Sequence, residues 1–277
     1  MKRIVLATAL VALGSASALA ADLPPRGYDK APAMATGATN WSGLYIGGNV
    51  GYGWGSGNMD AAVALGPGAT VGIGRNIPLD ASGTLDPKPK GVIGGAQIGY
   101  NWQMGSLVTG LEADFQGSGI KGSAHQSTLR PEDDGGVDGS SRSADEKLSW
   151  FGTVRGRLGV TVTPDLLLYG TGGLAYGLVS NSAAMRIFDN DGPTPFPVDY
   201  PASVGKVKAG WTAGAGAEWM FTSNWSAKIE YLHVDLGNVS AIGNVTAPAA
   251  TILHDTSVKY TWKSQENIVR AGVNYHF

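Results

Sequence analysis

The chain has 277 residues, of which 42 are glycine and only 15% are charged, and its formal net charge at pH 7 is −2. It contains no cysteine, which excludes thiolate catalysis, thiolate metal sites and a disulfide scaffold. The sparse charge forms no basic stripe, so nucleic acid is excluded as a partner. Glycine is about twice as frequent as usual but has no collagen period, which indicates close backbone approach or bends.

The first twenty residues have the pattern of an export signal. Lys2 and Arg3 precede an apolar stretch at residues 4–13, and small residues at positions 18 and 20 form a cleavage pattern. The apolar stretch is shorter than the ~20 residues that a spanning helix requires. We therefore predict a signal peptide over 1–20, a periplasmic lead-in over 21–40 and one β-barrel domain over 41–277.

From residue 41 onward, eight segments alternate between apolar and polar residues, as membrane barrel strands do. They cover residues 44–54, 92–103, 107–116, 150–161, 166–177, 211–219, 225–231 and 269–277. The fifth segment is uniformly apolar, and its two faces cannot be assigned from the sequence.

The connections between these segments fall into two classes. Three are short turns, at residues 104–106, 163–165 and 222–224. Four are long and rich in Gly, Pro, Asp, Asn and Ser, at residues 55–90, 118–147, 178–205 and 237–264. Long loops are uncommon in compact soluble domains, whereas outer-membrane barrels alternate short periplasmic turns with long extracellular loops. The sequence therefore predicts an all-β fold, an eight-stranded antiparallel transmembrane β-barrel.

The charged residues of the strands all lie on the face that also carries the glycines. Four are acidic and four are basic: Glu112, Asp114, Arg155, Arg157, Glu218, Lys228, Glu230 and Arg270. A soluble ligand-holding barrel, the alternative, would direct this face to water. In a membrane barrel the same face lines the lumen, where equal numbers of acids and bases can pair. We predict a lumenal charge network.

The tryptophans favour the membrane barrel over the soluble one. Four lie at the end with the short turns and four near the end with the long connections: Trp41, Trp102, Trp219 and Trp225, and Trp54, Trp150, Trp211 and Trp262. Indole rings prefer the boundary between lipid and water, so this distribution predicts two aromatic girdles. The chain also ends in alternating apolar residues, Val273, Tyr275 and Phe277, which resemble the C-terminal signal read by the barrel-insertion machinery.

Several stretches resemble the RopB-like small outer-membrane β-barrels of alphaproteobacteria, a porin-family domain. They are residues 21–24 (ADLP), 41–48 (WSGLYIGG), 168–177 (LYGTGGLAYG), 210–216 (GWTAGAG) and 225–231 (WSAKIEY). The match covers most of the strands and not the long connections. It implies an abundant protein of the Gram-negative outer membrane, with eight strands and no catalytic residues to transfer. Some relatives are linked to host-surface or haem binding, which would reside in the divergent loops.

Signals for other chemistry are weak, and we expect no enzyme activity, no cofactor and no metal. If the protein were a lipid hydrolase, His233 would be the first candidate for its catalytic histidine. The simpler interpretation is that His233 is a solvated residue at the rim of a strand. The acidic segment 132–138 could bind Ca²⁺ through its oxygen ligands. We favour the interpretation that it is a solvated loop tip.

Eight of the eleven lysines fall in the long connections or at their bases: Lys88, Lys90, Lys121, Lys147, Lys206, Lys208, Lys259 and Lys263. They are candidates for pairing with phosphates of lipopolysaccharide, and simple loop solubility is the alternative.

These features predict a structural protein of the cell envelope that contacts outer-membrane lipid and lipopolysaccharide. Two alternatives remain open at this point. One is loop-mediated binding of an extracellular ligand, as in an adhesin or a haem receptor, and the other is a narrow channel.

Overall fold

The computed structural model describes residues 39–65, 82–131, 137–188, 198–245 and 256–277. The predicted signal peptide over 1–20 and nearly all of the lead-in over 21–40 lie outside the described residues, as do residues 132–136 of the acidic segment. No helix in the described part of the chain is long and apolar enough to cross a membrane.

The described chain forms ten strands in one antiparallel sheet. They are β1 (Gly43–Gly55), β2 (Asn58–Leu65), β3 (Gly83–Leu85), β4 (Lys90–Met104), β5 (Leu107–Pro131), β6 (Val137–Thr163), β7 (Leu166–Phe188), β8 (Val198–Met220), β9 (Trp225–Asn244) and β10 (Thr256–His276). Neighbours in the sheet follow the order β1-β4-β5-β6-β7-β8-β9-β10-β2-β3, and β1 also pairs with β10. This last pairing closes the sheet into a ring and leaves no free edge in the ring.

The ten strands make eight barrel strands, because two barrel strands are interrupted. Strand β10 pairs first with β2, between Thr256 and Lys263, and then with β1, between Glu266 and His276. Strands β1 and β2 therefore share one position in the ring. In the same way β3 continues the position of β4, since β3 pairs with β2 while β4 pairs with β1. The predicted eight-stranded antiparallel barrel is confirmed.

All three predicted short turns are present. Gly105 and Ser106 join β4 to β5, and Gly105 has a φ of +63°, which favours glycine because it lacks a Cβ. Pro164 and Asp165 join β6 to β7, and residues 221–224 join β8 to β9.

The prediction of four long loops was wrong over much of their length. Strands β5 to β10 continue well beyond the outer tryptophans, so that Pro131 pairs with Val137 and Ile187 pairs with Val198. Gly, Ser and Asp are poor strand formers on average, but a strand that pairs along its whole length satisfies its backbone groups regardless of composition. Much of what the composition suggested was loop is therefore a sheet that extends past the membrane.

The extension reverses the polarity of the two faces. In the membrane the apolar side chains point outward: Ile98, Leu111 and Val50 are 49%, 57% and 68% exposed at the barrel surface. In the extension Tyr260 and Trp262 point inward and are at most 1% exposed. The reversal follows from the surroundings, because the outer face meets lipid in one region and water in the other.

The ladder between β8 and β9 is shorter than either strand. Its last pair toward the extracellular end is Trp211 with Asp235, although both strands continue beyond this point. Among the described contacts that bridge this seam, Lys208 Nζ donates a hydrogen bond of 3.0 Å to the carbonyl oxygen of Asn238. The wall of the extension is therefore not hydrogen-bonded along its full length at this seam.

Inward glycines make room for large side chains in the lumen. A Cβ placed on Gly99 would lie 2.7 Å from Cε1 of Tyr45, and one on Gly216 would lie 2.6 Å from the hydroxyl of Tyr169. The narrow interior of eight strands thus holds two tyrosines because the facing positions carry no side chain.

We expect Gly99→Val to destabilise the barrel by about 1–3 kcal/mol, the usual cost of overpacking, because the new side chain must displace Tyr45. Urea unfolding of the protein refolded in detergent measures this difference. Gly156→Val is the matched control: Gly156 faces outward, and the nearest atom to its Cβ, the carbonyl oxygen of Gly172, is 3.9 Å away. Equal stability of the two variants would contradict the packing argument.

Candidate functional site

The eight charged residues predicted for the lumen converge inside the barrel. Each of them is at most 5% exposed. They lie on β5, β6, β8, β9 and β10, at positions where strand alternation directs the side chain inward. We call these eight residues the charged layer.

Glu112 lies at the centre of the charged layer. Lys228 Nζ is 2.8 Å from its Oε2, Arg157 Nη1 is 3.6 Å from the same oxygen, and Arg155 pairs with its Oε1. Arg270 Nη2 lies 3.4 Å from Oε1. One carboxylate therefore faces four cations.

The remaining acids complete the pairing. Arg155 Nη2 and Arg270 Nη2 lie 3.0 and 2.9 Å from Oδ2 of Asp114. The same two arginines lie 3.0 and 2.6 Å from the oxygens of Glu230. Arg157 Nη2 lies 2.5 Å from Glu218. Burying a charge is costly unless it is paired and hydrogen-bonded, and here every member has a partner of opposite sign.

Uncharged residues that the sequence reasoning did not assign to the network extend it to the rest of the ring. Tyr45 Oη donates to Glu112 at 2.7 Å, and Tyr169 Oη donates to Glu230 at 3.0 Å. Asn274 Nδ2 donates to Glu218 at 2.6 Å and accepts at 2.7 Å from Gln97 Nε2 through its Oδ1. The sequence did contain a signal for their place in the network, because Tyr45 and Asn274 lie on the same strand face as the glycines and the charges.

Through these contacts every one of the eight barrel strands contributes at least one side chain to the network. A hydrogen-bonded network of this kind works as a cross-link between strands far apart in the sequence. Its acids and bases are engaged with one another across the lumen.

Apolar clusters lie on both sides of the charged layer. Toward the short turns, Trp41 packs with Val108, Leu167, Tyr169 and Met220. Toward the extracellular end, a cluster that includes Ile120, Leu148, Phe151, Leu232 and Ile268 fills the interior, and it is followed by another that includes Met59, Met185, Tyr200, Tyr260 and Trp262. The lumen is thus occupied by side chains over most of its length.

The fifth predicted segment, whose faces the sequence left open, is resolved by the structure. In β7, Leu167, Tyr169 and Thr171 point inward, whereas Leu168 and Leu174 are about half exposed on the outer surface, at 44% and 56%. Inward and outward residues alternate along β7 as in the other strands. The sequence did not show this because one inward residue, Leu167, is also apolar and packs in the cluster around Trp41.

Six of the eight tryptophans predicted for the girdles are at the outer surface: Trp54, Trp102, Trp150, Trp211, Trp219 and Trp225. The other two predictions were wrong, because Trp41 and Trp262 are fully buried. Trp41 fills the barrel end near the short turns, and its indole N–H donates to the carbonyl oxygen of Pro164 at 3.0 Å. Trp262 lies in the extension, where the outer face meets water and apolar residues turn inward.

The three residues of the predicted insertion signal lie at the end of the chain with their side chains toward the outer surface. Val273 and Phe277 are 43% and 66% exposed, and Tyr275 is half-buried. The N–H of Phe277 donates to the carbonyl oxygen of Leu44 at 3.0 Å, next to the pairing that closes the ring. Recognition by the insertion machinery stays a prediction.

Comparison with known proteins agrees with this geometry. A model of the outer membrane protein beta-barrel domain matches residues 6–277. The chain belongs to this family. It is 36% identical over 280 residues to the 31 kDa outer-membrane immunogenic protein of Brucella melitensis, with both chains covered in full. It is 30% identical over 198 residues to the 22 kDa outer membrane protein of Rhizobium leguminosarum, covering 72% of this chain and 65% of the relative.

Among solved structures, the outer membrane protein OprG from Pseudomonas aeruginosa is similar at 12% sequence identity, with a TM-score of 0.43, over 87% of this chain and 98% of that one. The family model and the Brucella and Rhizobium relatives place the protein in the outer membrane of a Gram-negative bacterium. The resemblance to small outer-membrane barrels is therefore confirmed.

Proposed function

We propose that the protein is a non-catalytic, closed structural barrel that contributes to envelope integrity by binding lipopolysaccharide at its outer surface. The observation that carries the proposal is a row of lysines just beyond the outer tryptophans. Lys90 lies directly opposite Lys121 in the pairing of β4 with β5, and Lys121 lies directly opposite Lys147 in the pairing of β5 with β6. We call these three residues the lysine row.

The lysine row favours an anionic partner over simple solubility. All three side chains are exposed, and like charges directly opposite each other on neighbouring strands destabilise a sheet. On its other side, Lys90 pairs with Trp54 of the outer girdle, which sets the row at the level of lipid headgroups. Phosphate groups of lipopolysaccharide at that level supply the missing negative charge.

The filled lumen supports a structural role over a channel. Eight strands leave an interior that side chains can fill, and here apolar clusters lie on both sides of the charged layer. Recording across a planar lipid bilayer is expected to show no steady conductance from the protein. Reproducible open levels would favour the channel.

The absence of enzyme activity is part of the same proposal. The one histidine considered for lipid hydrolysis, His233, lies with Nδ1 3.0 Å from Asn267 Oδ1 and with its ring 5.3 Å from the ring of Trp211. These contacts suit a residue at the rim of a strand near the membrane boundary.

Replacing Lys121 and Lys147 with Ala is expected to reduce lipopolysaccharide binding. Each basic residue near an anionic membrane surface contributes about 1 kcal/mol, so the pair accounts for about 2 kcal/mol, or roughly thirtyfold in affinity. Wild type and variant are refolded in the absence of lipopolysaccharide, and the measurement is the amount of lipopolysaccharide that each then binds. Lys88→Ala with Lys259→Ala is the matched control, which removes two exposed lysines outside the lysine row.

Two results would count against the proposal. One is equal binding by the double variant and its control. The other is a loss of stability of the Lys121 and Lys147 variant in the absence of lipopolysaccharide, because removing like charges that face each other should leave stability unchanged or higher.

A further inference from the structure

A level of polar side chains interrupts the apolar interior on the extracellular side of the charged layer. The polar residues are Glu146 on β6, Asn181 on β7, and Ser264 and Glu266 on β10. On each strand the inward residues before and after them belong to the two apolar clusters, namely Leu148 and Ala144, Val179 and Ala183, and Ile268 and Trp262. The polar level therefore lies between two apolar regions.

These polar groups are buried and incompletely satisfied. Glu146, Asn181 and Glu266 are each 3% exposed. Within the described residues, Oε2 of Glu146, Oε2 of Glu266 and both amide atoms of Asn181 have no hydrogen-bond partner. Buried polar atoms normally have partners, and an exception indicates an unrecognised ligand or function.

The unsatisfied groups lie beside one another. Glu146 is directly opposite Asn181 in the pairing of β6 with β7. Ser264 donates a hydrogen bond of 3.2 Å to Oε1 of Glu146. Glu266 lies two residues further on the same face of β10, close enough for the charge of Glu146 to act on it. Glu146 thus has the carboxamide residue Asn181 directly opposite it on the neighbouring strand, and its charge reaches the carboxyl of Glu266.

Glycines at the break between β1 and β2 leave space for the two carboxyls. A Cβ placed on Gly55 would lie 2.5 Å from Oε2 of Glu266, and one placed on Gly57 would collide with Oε2 of Glu146. The two unsatisfied carboxyl oxygens therefore both face the interrupted segment of the wall, where only glycine fits.

We propose that Glu146, Glu266 and Asn181 form a binding site for Ca²⁺ inside the extracellular extension of the barrel. Two carboxylates balance the charge of a divalent cation, and the amide oxygen of Asn181 adds a third protein ligand. The donor set is entirely oxygen, which suits a hard cation. Ca²⁺ fits better than Mg²⁺, because its flexible coordination accepts carboxylates that bind through one or both oxygens, whereas Mg²⁺ requires near-ideal octahedral geometry.

The described side chains offer no fuller set of acidic ligands. Among the described residues, no group of three or more acidic or histidine side chains is placed to hold a metal ion. A site at this level therefore depends on the amide as well as on the two carboxylates.

The test is Ca²⁺ titration by calorimetry of the full chain refolded in detergent without lipopolysaccharide, whose phosphates also bind Ca²⁺. We expect one Ca²⁺ per chain for the wild type, and at least tenfold weaker binding for Glu146→Gln, Glu266→Gln and Asn181→Ala. Asp145→Asn is the matched control, because Asp145 neighbours Glu146 in sequence but its side chain is exposed. Its binding should equal that of the wild type.

Either of two titration results would overturn the proposal: no Ca²⁺ binding by the wild type, or unchanged binding by all three variants. If the glutamate variants fail to fold, the wild-type titration and Asn181→Ala still decide. A stability measurement could also overturn the proposal. If Glu266→Gln were more stable than the wild type both in the absence and in the presence of Ca²⁺, the two carboxyls would be held by a shared proton and not by a cation.

Discussion

Replacing Glu112 with Gln is expected to destabilise the folded barrel by about 3–5 kcal/mol, the cost of removing one partner from a buried ion pair. Glu112 faces four cations, and the variant would leave Lys228 and the neighbouring arginines short of one negative charge in the lumen. The effect should exceed that of a surface change because the side chains of the charged layer are screened from water.

The measurement is the free energy of unfolding in urea, followed by tryptophan fluorescence and by the mobility shift on boiling in SDS. Asp60→Asn is the control, since Asp60 is exposed and its only described side-chain contact is a hydrogen bond of 2.8 Å from Thr84. It should change stability by less than about 1 kcal/mol. If Glu112→Gln were as mild as the control, the charged layer would not hold the barrel together.

Replacing Ala215 with Arg is expected to cost about 2–4 kcal/mol, the penalty for a lipid-facing Arg at the middle of the bilayer. Ala215 is exposed on β8, midway along the strand between Trp211 and Trp219 of the two girdles. The same change at Ala209, on the same strand and the same face but beyond Trp211, should cost about 0–1 kcal/mol.

This pair of variants tests which surface meets lipid. Both place an identical side chain on the outer face of one strand, so a difference in the free energy of unfolding from lipid vesicles reports the surroundings alone. Equal costs at the two positions would mean that the membrane boundary is not at Trp211. A cost at Ala209 that exceeds the cost at Ala215 would mean that the barrel lies at another height in the bilayer.

Residues within the membrane could be assigned from the sequence because their pattern depends only on strand alternation. The charges of β5, β6, β9 and β10 were directed inward by their position on the glycine face, and the structure places them there. The partners of each charge could not be predicted, since Arg155 meets Glu230 across 75 positions in the chain. Tyr45 was overlooked for the same reason, because its contact with Glu112 depends on the absence of a side chain at Gly99.

The extension is where sequence reasoning failed. Residues such as Tyr260 and Trp262 alternate with Lys259 and Lys263 as plainly as any membrane strand does, yet their composition and position suggested loops and a girdle. Alternation says that two faces differ, but it does not say which face points inward. That choice depends on whether water or lipid lies outside the wall.

The sequence by itself therefore determined the number of barrel strands, the short turns, and the two faces of most strands, because each follows from local alternation and turn chemistry. Only the tertiary structure decided how far the strands extend beyond the membrane, where the polarity of the faces reverses, and which buried charges meet. Those features depend on pairing between strands and on contacts across the lumen, which join residues far apart in the chain.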